Sequence, residues 1–242
     1  MFLHDRSSQT EYLDAPERTA TELEEHYAWL NRINRLTRFE RPFRIWIPRL
    51  MGDMQCQRLE VLDVGAGEGS LGRSLTTWAG EKGWDWSFTD LDSSETVRAL
   101  NPSRRAVRGS ATALPFEDGR FDVVIANTMT HHLDSEEAVV AHFQEAARVA
   151  RRLVLICDMQ RRLPFFLLLG TTLWLVRAPR EFRRDGLLSV RRGWRAGEWC
   201  RLAEAAGLSQ ARVWEEHGSR VLLALVKTPV NPASPDNTSG TT

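Results

Sequence analysis

The spacing of apolar residues divides this chain into stretches of different texture. The first 18 residues are mainly polar and read as loosely held chain. From Thr19 onward Leu23, Tyr27, Leu30 and Ile33 fall at helical spacing, with Thr21 and Glu24 fitting a capping box. A second short helix carries Phe43, Ile45, Trp46 and Leu50 and is interrupted by Pro42 and Pro48. After Gly52, short apolar runs alternate with amphipathic segments. Strands are expected at 60–64, 84–89, 106–108, 121–126 and 153–157, and helices at 70–78, near 94–100 and at 135–150. A helix over 197–206 stops at Gly207, and 210–214 and 220–227 have the character of a closing antiparallel pair.

Such alternation predicts an α/β fold, a doubly wound, mostly parallel seven-stranded sheet with helices on both faces. The expected organisation is an N-terminal helical cap over 1–52, the sheet-bearing unit over 53–227 and a disordered tail over 228–242, rich in Pro, Asn, Ser and Thr. A helical lid is inserted after strand five, at about 159–195.

Composition narrows the function classes. The chain has 242 residues, 42% hydrophobic and 26% charged, with 32 basic against 32 acidic side chains, which argues against disorder and against a protein that wraps nucleic acid. All the cations except Lys82 and Lys227 are arginine. Cys56, Cys157 and Cys200 lie far apart with no CxxC spacing, as expected of reduced thiols. The N-terminus has no basic region followed by an apolar run, and the longest apolar stretch, Leu163 to Val176, is shorter than the ~20 residues of a spanning helix. A cytoplasmic location is expected.

The most informative segment is LEVLDVGAGEGSLGRSL, Leu59 to Leu75. A strand ends at Val64, and Gly65, Gly67 and Gly69 form a tight turn opening a helix, the arrangement that lets backbone approach a ligand. Asp90, in WSFTDLD, closes the next strand, where a carboxylate can accept both hydroxyls of a ribose; the same residue could instead cap the following helix. With Asp63-Val64-Gly65-Ala66-Gly67-Glu68-Gly69, Asp90 and the run from Gly109 to Leu133, the chain resembles the class I S-adenosylmethionine-dependent methyltransferases, in the small-molecule branch that includes quinone methyltransferases. The resemblance covers about 59–157 and implies a Rossmann-like fold with S-adenosyl-L-methionine as cofactor. It further implies that Asp63 and the glycine turn hold the methionine end and Asp90 the ribose. Leu91 would wall the adenine, with Ser110 and Ala111 near its ring. Ser110 departs from the acid often found there, and Asn127 is expected to contact cofactor or order its loop.

Methyl transfer from a sulfonium asks chiefly for in-line positioning of the acceptor, and a phenol also benefits from a base. The candidates are His131 and His132 in the loop after strand four, with His131 slightly favoured; packing and solvent-facing roles remain open for both. Asp158, after strand five, would orient substrate or cap a helix. No His/carboxylate metal constellation is apparent, so no metal is expected.

The stretch 163–176 is apolar on every side, and Arg177 to Arg195 holds seven arginines against Glu181 and Asp185. One reading is a core helix followed by a solvated basic loop. The other is a roof, shared with Tyr27, Leu30, Trp46 and Leu50, over a hydrophobic acceptor pocket, with the arginines meeting an anionic headgroup, a membrane surface or an acidic carrier protein. The texture of GLLSVRRGWRAGEW is similar to methyltransferases of aromatic polyketides and lipidic phenols. The expected activity is therefore O-methylation of a small phenolic or polyketide-like compound. C-methylation of a quinol-like ring, an NAD-dependent oxidoreductase and a non-catalytic methyltransferase-like partner protein stand as alternatives.

Overall fold

A computed structural model describes residues 3–12, 19–103, 105–217 and 219–227. The expected disordered tail from Thr228 lies outside the described residues. Among them, seven strands form one sheet in the order β3-β2-β1-β4-β5-β7-β6. The strands are β1 (Arg58–Val64), β2 (Asp85–Asp92), β3 (Ala106–Arg108), β4 (Phe121–Asn127), β5 (Ala150–Met159), β6 (Arg212–Glu216) and β7 (Arg220–Val226). The first five run parallel, and β7 pairs antiparallel with both β5 and β6. The helices are α1 (Ala20–Thr37), α2 (Arg41–Met51), α3 (Ser70–Glu81), α4 (Glu95–Leu100), α5 (Glu136–Val149), α6 (Leu163–Leu175), α7 (Arg180–Arg192) and α8 (Ala196–Ala205).

Strand periodicity decides the layering. Leu62, Val64, Val124, Ala126, Val154 and Ile156 pack on one side of the sheet with Phe143 of α5 and Trp199 of α8. Their neighbours Val61, Val123, Ile125, Leu153 and Leu155 pack on the other with Phe43 of α2 and Leu75 of α3. Both faces are thus covered, as a parallel sheet requires, and polar groups gather at the carboxyl ends of the strands.

Four local expectations change. Helix α1 is capped two residues early by Thr19 and Glu22 in a complete capping box, because Thr19 is the residue with extended backbone. Helix α2 is continuous through Pro48, and Pro42 occupies its first turn, where the missing N–H costs nothing. The segment after Arg177 is the helix α7, whose inner side buries Phe182, Asp185, Leu188 and Arg192. Residues 3–12 are also not loosely held. Leu3, Ser7 and Glu11 are buried, and Ser7 N–H donates to Arg191 O at 3.0 Å. Arg161, itself buried, anchors this segment by donating to Leu3 O and His4 O while also binding Gly193 O and Glu198.

Two predictions follow from these buried polar groups. Replacing Arg161 by Met removes charge-assisted hydrogen bonds that join three segments and should lower stability by roughly 2–3 kcal/mol in urea unfolding. The imidazoles of His26, flanked by Tyr12 and Phe182, and of His142 are each pushed by burial from 6.5 down to about 4. The unfolded chain therefore takes up protons that the fold refuses, so stability is full above about 6.5 and falls as pH drops toward about 4. His142→Gln, whose amide can still donate to Ala111 O, should flatten that acid slope in melting curves recorded across this range.

Candidate active site

The glycine turn leaves β1 at the carboxyl edge of the sheet, beside the end of β2. Gly65 N–H and Ala66 N–H both donate to Leu91 O, at 2.8 and 3.0 Å, which ties the turn to the neighbouring strand. Gly65 has φ +72°, and a Cβ there would lie 2.1 Å from Met129 Cγ. Gly67 has φ +58° and faces the Tyr27 ring, with room for 3.0 Å between such a Cβ and Tyr27 Oη. Only glycine combines these dihedrals with such close neighbours. Asn31 of α1 donates to Glu68 at 2.6 Å, so the first helix is fastened directly to the turn.

Three acids surround the turn, and the structure divides their roles. Asp63 is buried, and its Oδ2 has no hydrogen-bond partner. Burial, then the neighbouring Asp90 and Asp92, holds its carboxyl well above the usual carboxylate range. Asp90, the residue expected at the ribose, lies behind the turn instead. Its Oδ2 accepts from Asn101 at 3.0 Å and would meet a Cβ on Gly69 at 2.7 Å, and it takes no part in the cavity wall. Asp92 lines the cavity. It accepts from Gly67 N–H and from Ser94 N–H, each at 2.9 Å, while burial raises its pKa. The reason for the exchange is that β2 continues to Asp92, past the expected end at Thr89. The Asp-Ser-Ser run before a helix was the available signal: an acid at the first position can bridge strand end and helix cap.

The cavity holds about 790 Å³. Asp63, Gly65, Ala66, Gly67, Leu91, Asp92, Ser110, Ala111 and Asn127 line it, whereas Gly69 and Asp90 do not. Ser110 Oγ is engaged with Thr112 Oγ1 at 2.8 Å, and Ala111 O accepts from His142. Leu23, Tyr27 and Leu30 of α1, with Phe39, form the apolar part of its wall. Trp46 and Leu50, expected in that roof, pack instead with the core layer of Phe43 and Leu75 and do not line the cavity, and no residue of α6 reaches it.

After β4 the chain enters a strained turn in which Thr128, a β-branched residue, has φ +50°. The two histidines that follow have different surroundings. His132 lines the cavity. His131 is buried behind it, with the rings 4.3 Å apart, and does not line the cavity. Asp158, at the end of β5, accepts from His131 N–H at 2.8 Å through one oxygen and faces His131 Nδ1 at 2.8 Å through the other. A carboxylate can only accept, so Nδ1 carries the hydrogen and Nε2 is directed toward Glu11 Oε1, 3.6 Å away. Arg192 donates to His131 O and His132 O, and Arg6 donates to His131 O and Leu133 O, each from a different segment. Arg192 is therefore an internal strut of the site, not part of a solvated basic loop.

Glu11 is the residue that sequence reasoning missed altogether; a single acid in a polar stretch gives no local sign of a partner 120 positions on. Its presence also alters the expectation of no metal constellation, since Glu11, His131 and His132 each offer a donor atom within 4.8 Å of the others.

A buried carboxylate oxygen without a partner, beside a glycine cradle, fits a ligand bearing a cationic donor, and a cavity-facing Asp92 fits one bearing hydroxyls. The residues present thus suit S-adenosyl-L-methionine. Comparison with known proteins agrees. A family described as a methyltransferase domain matches residues 62–156. A demethylmenaquinone methyltransferase of Staphylococcus aureus is 32% identical over 102 residues, 39% of this chain and 41% of that protein. A hybrid PKS-NRPS synthetase of Hapsidospora irregularis is 27% identical over 124 residues, 46% of this chain. The chain spans only 41% and 3% of the lengths of these two curated relatives. Among solved structures, a SAM-dependent methyltransferase of Aquifex aeolicus shares the fold with TM-score 0.54 and 16% identity, covering 86% of this chain and 98% of that one. Magnesium protoporphyrin IX methyltransferase from Synechocystis does so with TM-score 0.52 and 15% identity, covering 78% and 83%. Residues 62–156 thus match a methyltransferase-domain family, and the chain shares the fold of S-adenosylmethionine-dependent methyltransferases.

Proposed function

We propose that this protein methylates a small hydrophobic acceptor at oxygen, the acceptor being a phenolic or polyketide-like compound. The observation that carries this reading is one cavity whose lining combines two chemistries. Asp63, Asp92 and the glycine turn supply its polar part, Leu23, Tyr27, Leu30 and Phe39 its apolar part, and His132 is also in the wall. The names of the two curated relatives point to quinone-type and polyketide-type chemistry in those proteins. The quinone-type relative also keeps C-methylation of a quinol-like ring as the rival within the class.

S-adenosyl-L-methionine, when bound, supplies a methyl group already activated on a sulfonium. Asp63, with Gly65 and Gly67, would hold its methionine end, Asp92 its ribose, and Leu91, Ser110, Ala111 and Asn127 the region of the base. The apolar wall excludes water and orients a flat acceptor, which is the main protein contribution to such a reaction. His132 would take the acceptor's hydroxyl proton. His131 lies tilted against it and is held in orientation by Asp158 at Nδ1, so Asp158 and Glu11 are positioning residues that act through the histidine loop.

Calorimetric titration with S-adenosylhomocysteine tests the cofactor side. Asp92→Ala should weaken binding about 10- to 100-fold, the loss of charge-assisted hydrogen bonds. Asp90→Asn should change it only a few-fold, and the opposite ranking would return the ribose to Asp90. No binding by the unchanged protein would refute the assignment as a whole. On the acceptor side, His132→Ala should lower kcat by roughly 10²- to 10⁴-fold with a phenol near neutral pH. That deficit should shrink as pH rises and the phenol ionises unaided, whereas a purely structural defect would persist at every pH. Mass spectrometry and NMR of the product decide the atom methylated; a new carbon–methyl bond would replace O-methylation with the quinol reading.

A further inference from the structure

Helix α6 is the least polar element of the chain, yet it is not buried. Of its side chains only Leu173 is enclosed, while Leu163, Leu167, Leu168, Trp174 and Leu175 are between 52% and 66% exposed. Exposing this much contiguous apolar surface opposes the tendency of soluble proteins to keep such patches small. Its two hydroxyls are turned inward. Thr171 Oγ1 donates to Leu167 O at 2.9 Å and Thr172 Oγ1 to Leu168 O at 2.8 Å, so the outer face presents few unsatisfied polar atoms.

The charge beside this face is also one-sided. Between the end of α6 and the second turn of α7 stand Arg177, Arg180, Arg183 and Arg184 against the single acid Glu181. Among the described residues none of these four arginines makes an ion pair or a side-chain hydrogen bond, and Arg177, Arg180 and Arg184 are exposed. This distinguishes them from Arg192 and Arg195, which bind backbone carbonyls within the fold. No helix of the described residues is long and apolar enough to cross a membrane. At 1.5 Å per residue, α6 extends roughly 20 Å, well short of the ~30 Å hydrocarbon core.

We propose that α6 lies in the interface of an anionic lipid membrane, with its leucines and Trp174 in the acyl boundary and Arg177, Arg180 and Arg184 on the headgroups. An apolar helix rimmed by cations, too short to span, has that disposition. An acidic carrier protein would answer the arginines but leave five large apolar side chains without a partner. The inner side of α6 also links this surface to the active site. Leu173 and Leu169 pack with Trp29, Leu30 and Ile33 of α1, and Leu30 is part of the cavity wall. The surface is thus one packed layer from the place where a hydrophobic acceptor would be held.

Sedimentation of the full chain with lipid vesicles tests this independently of methyl transfer. Vesicles of phosphatidylcholine mixed with phosphatidylglycerol should bind at least ~10-fold more tightly than phosphatidylcholine alone, and added salt should reduce the difference. The triple variant Arg177→Gln, Arg180→Gln, Arg184→Gln should lose roughly 100-fold in affinity for the anionic vesicles, about fivefold for each charge. Leu167→Glu with Leu168→Glu, both at exposed positions, should abolish binding while leaving the melting temperature near that of the unchanged protein. Absence of binding to anionic vesicles, or equal binding by the arginine variant, would overturn the proposal. So would a shift from dimer to monomer in the leucine variant without vesicle binding by the parent, which would assign the face to a second copy of the chain.

Discussion

A parallel sheet covered on both faces has few places where polar side chains can meet without being enclosed, and the row of carboxyl strand ends is the principal one. The register of β1, β2, β4 and β5 brings Asp63, Asp92, Asn127 and Asp158 to that row. Every polar element of the site depends on this constraint. The glycine turn is fastened to Leu91 of β2, the histidine loop to Asp158 of β5, and the space between them is the cavity. Moving one strand by a single residue would turn the corresponding acid into the apolar layers.

The acids at this edge are costly to place together. Asp63 is buried near Asp90 and Asp92, and both desolvation and like charge oppose its ionisation. Asp90 is partly relieved by Asn101, and Asp92 by two backbone N–H groups, but Asp63 Oδ2 has nothing to accept from. A ligand carrying positive charge offsets both penalties at once, so affinity and selectivity for a cationic group arise from the same unfavourable arrangement. On the other flank, His131 is held by Asp158 and approached by Glu11, an arrangement in which backbone and ring orientation are fixed together.

Much of the fold was legible because its signals are local. Runs such as FDVVIA and the turn VGAGEGS announce strand and glycine loop without reference to anything distant. What escaped was decided by distance or by strand length. That Asp92 and not Asp90 lines the cavity followed from three further residues of β2, and boundaries of that kind are set by pairing with β3, where Asp90, Leu91 and Asp92 find partners. Helix α7 was hidden by its arginines, since its apolar positions are few and its buried side includes Asp185 and Arg192. Glu11 gave no sign because its significance lies in His131 and Ser189, far along the chain.

The anchoring of the histidine loop bears on the order in which the molecule can be completed during synthesis. The loop is clasped by Arg6 from the beginning of the chain and by Arg192 from the end of α7, and Arg6 also donates to Arg192 O across 186 positions. Arg6 must therefore wait until Arg192, 186 positions later, has been made before this contact can be seated. The five parallel strands can pair before α7 is made, whereas the clasp on the wall bearing His132, like the pairing of β5 with β7, must await the later chain. A chain arrested before α7 would hold the glycine turn and its acids without the clasp that sets the histidines.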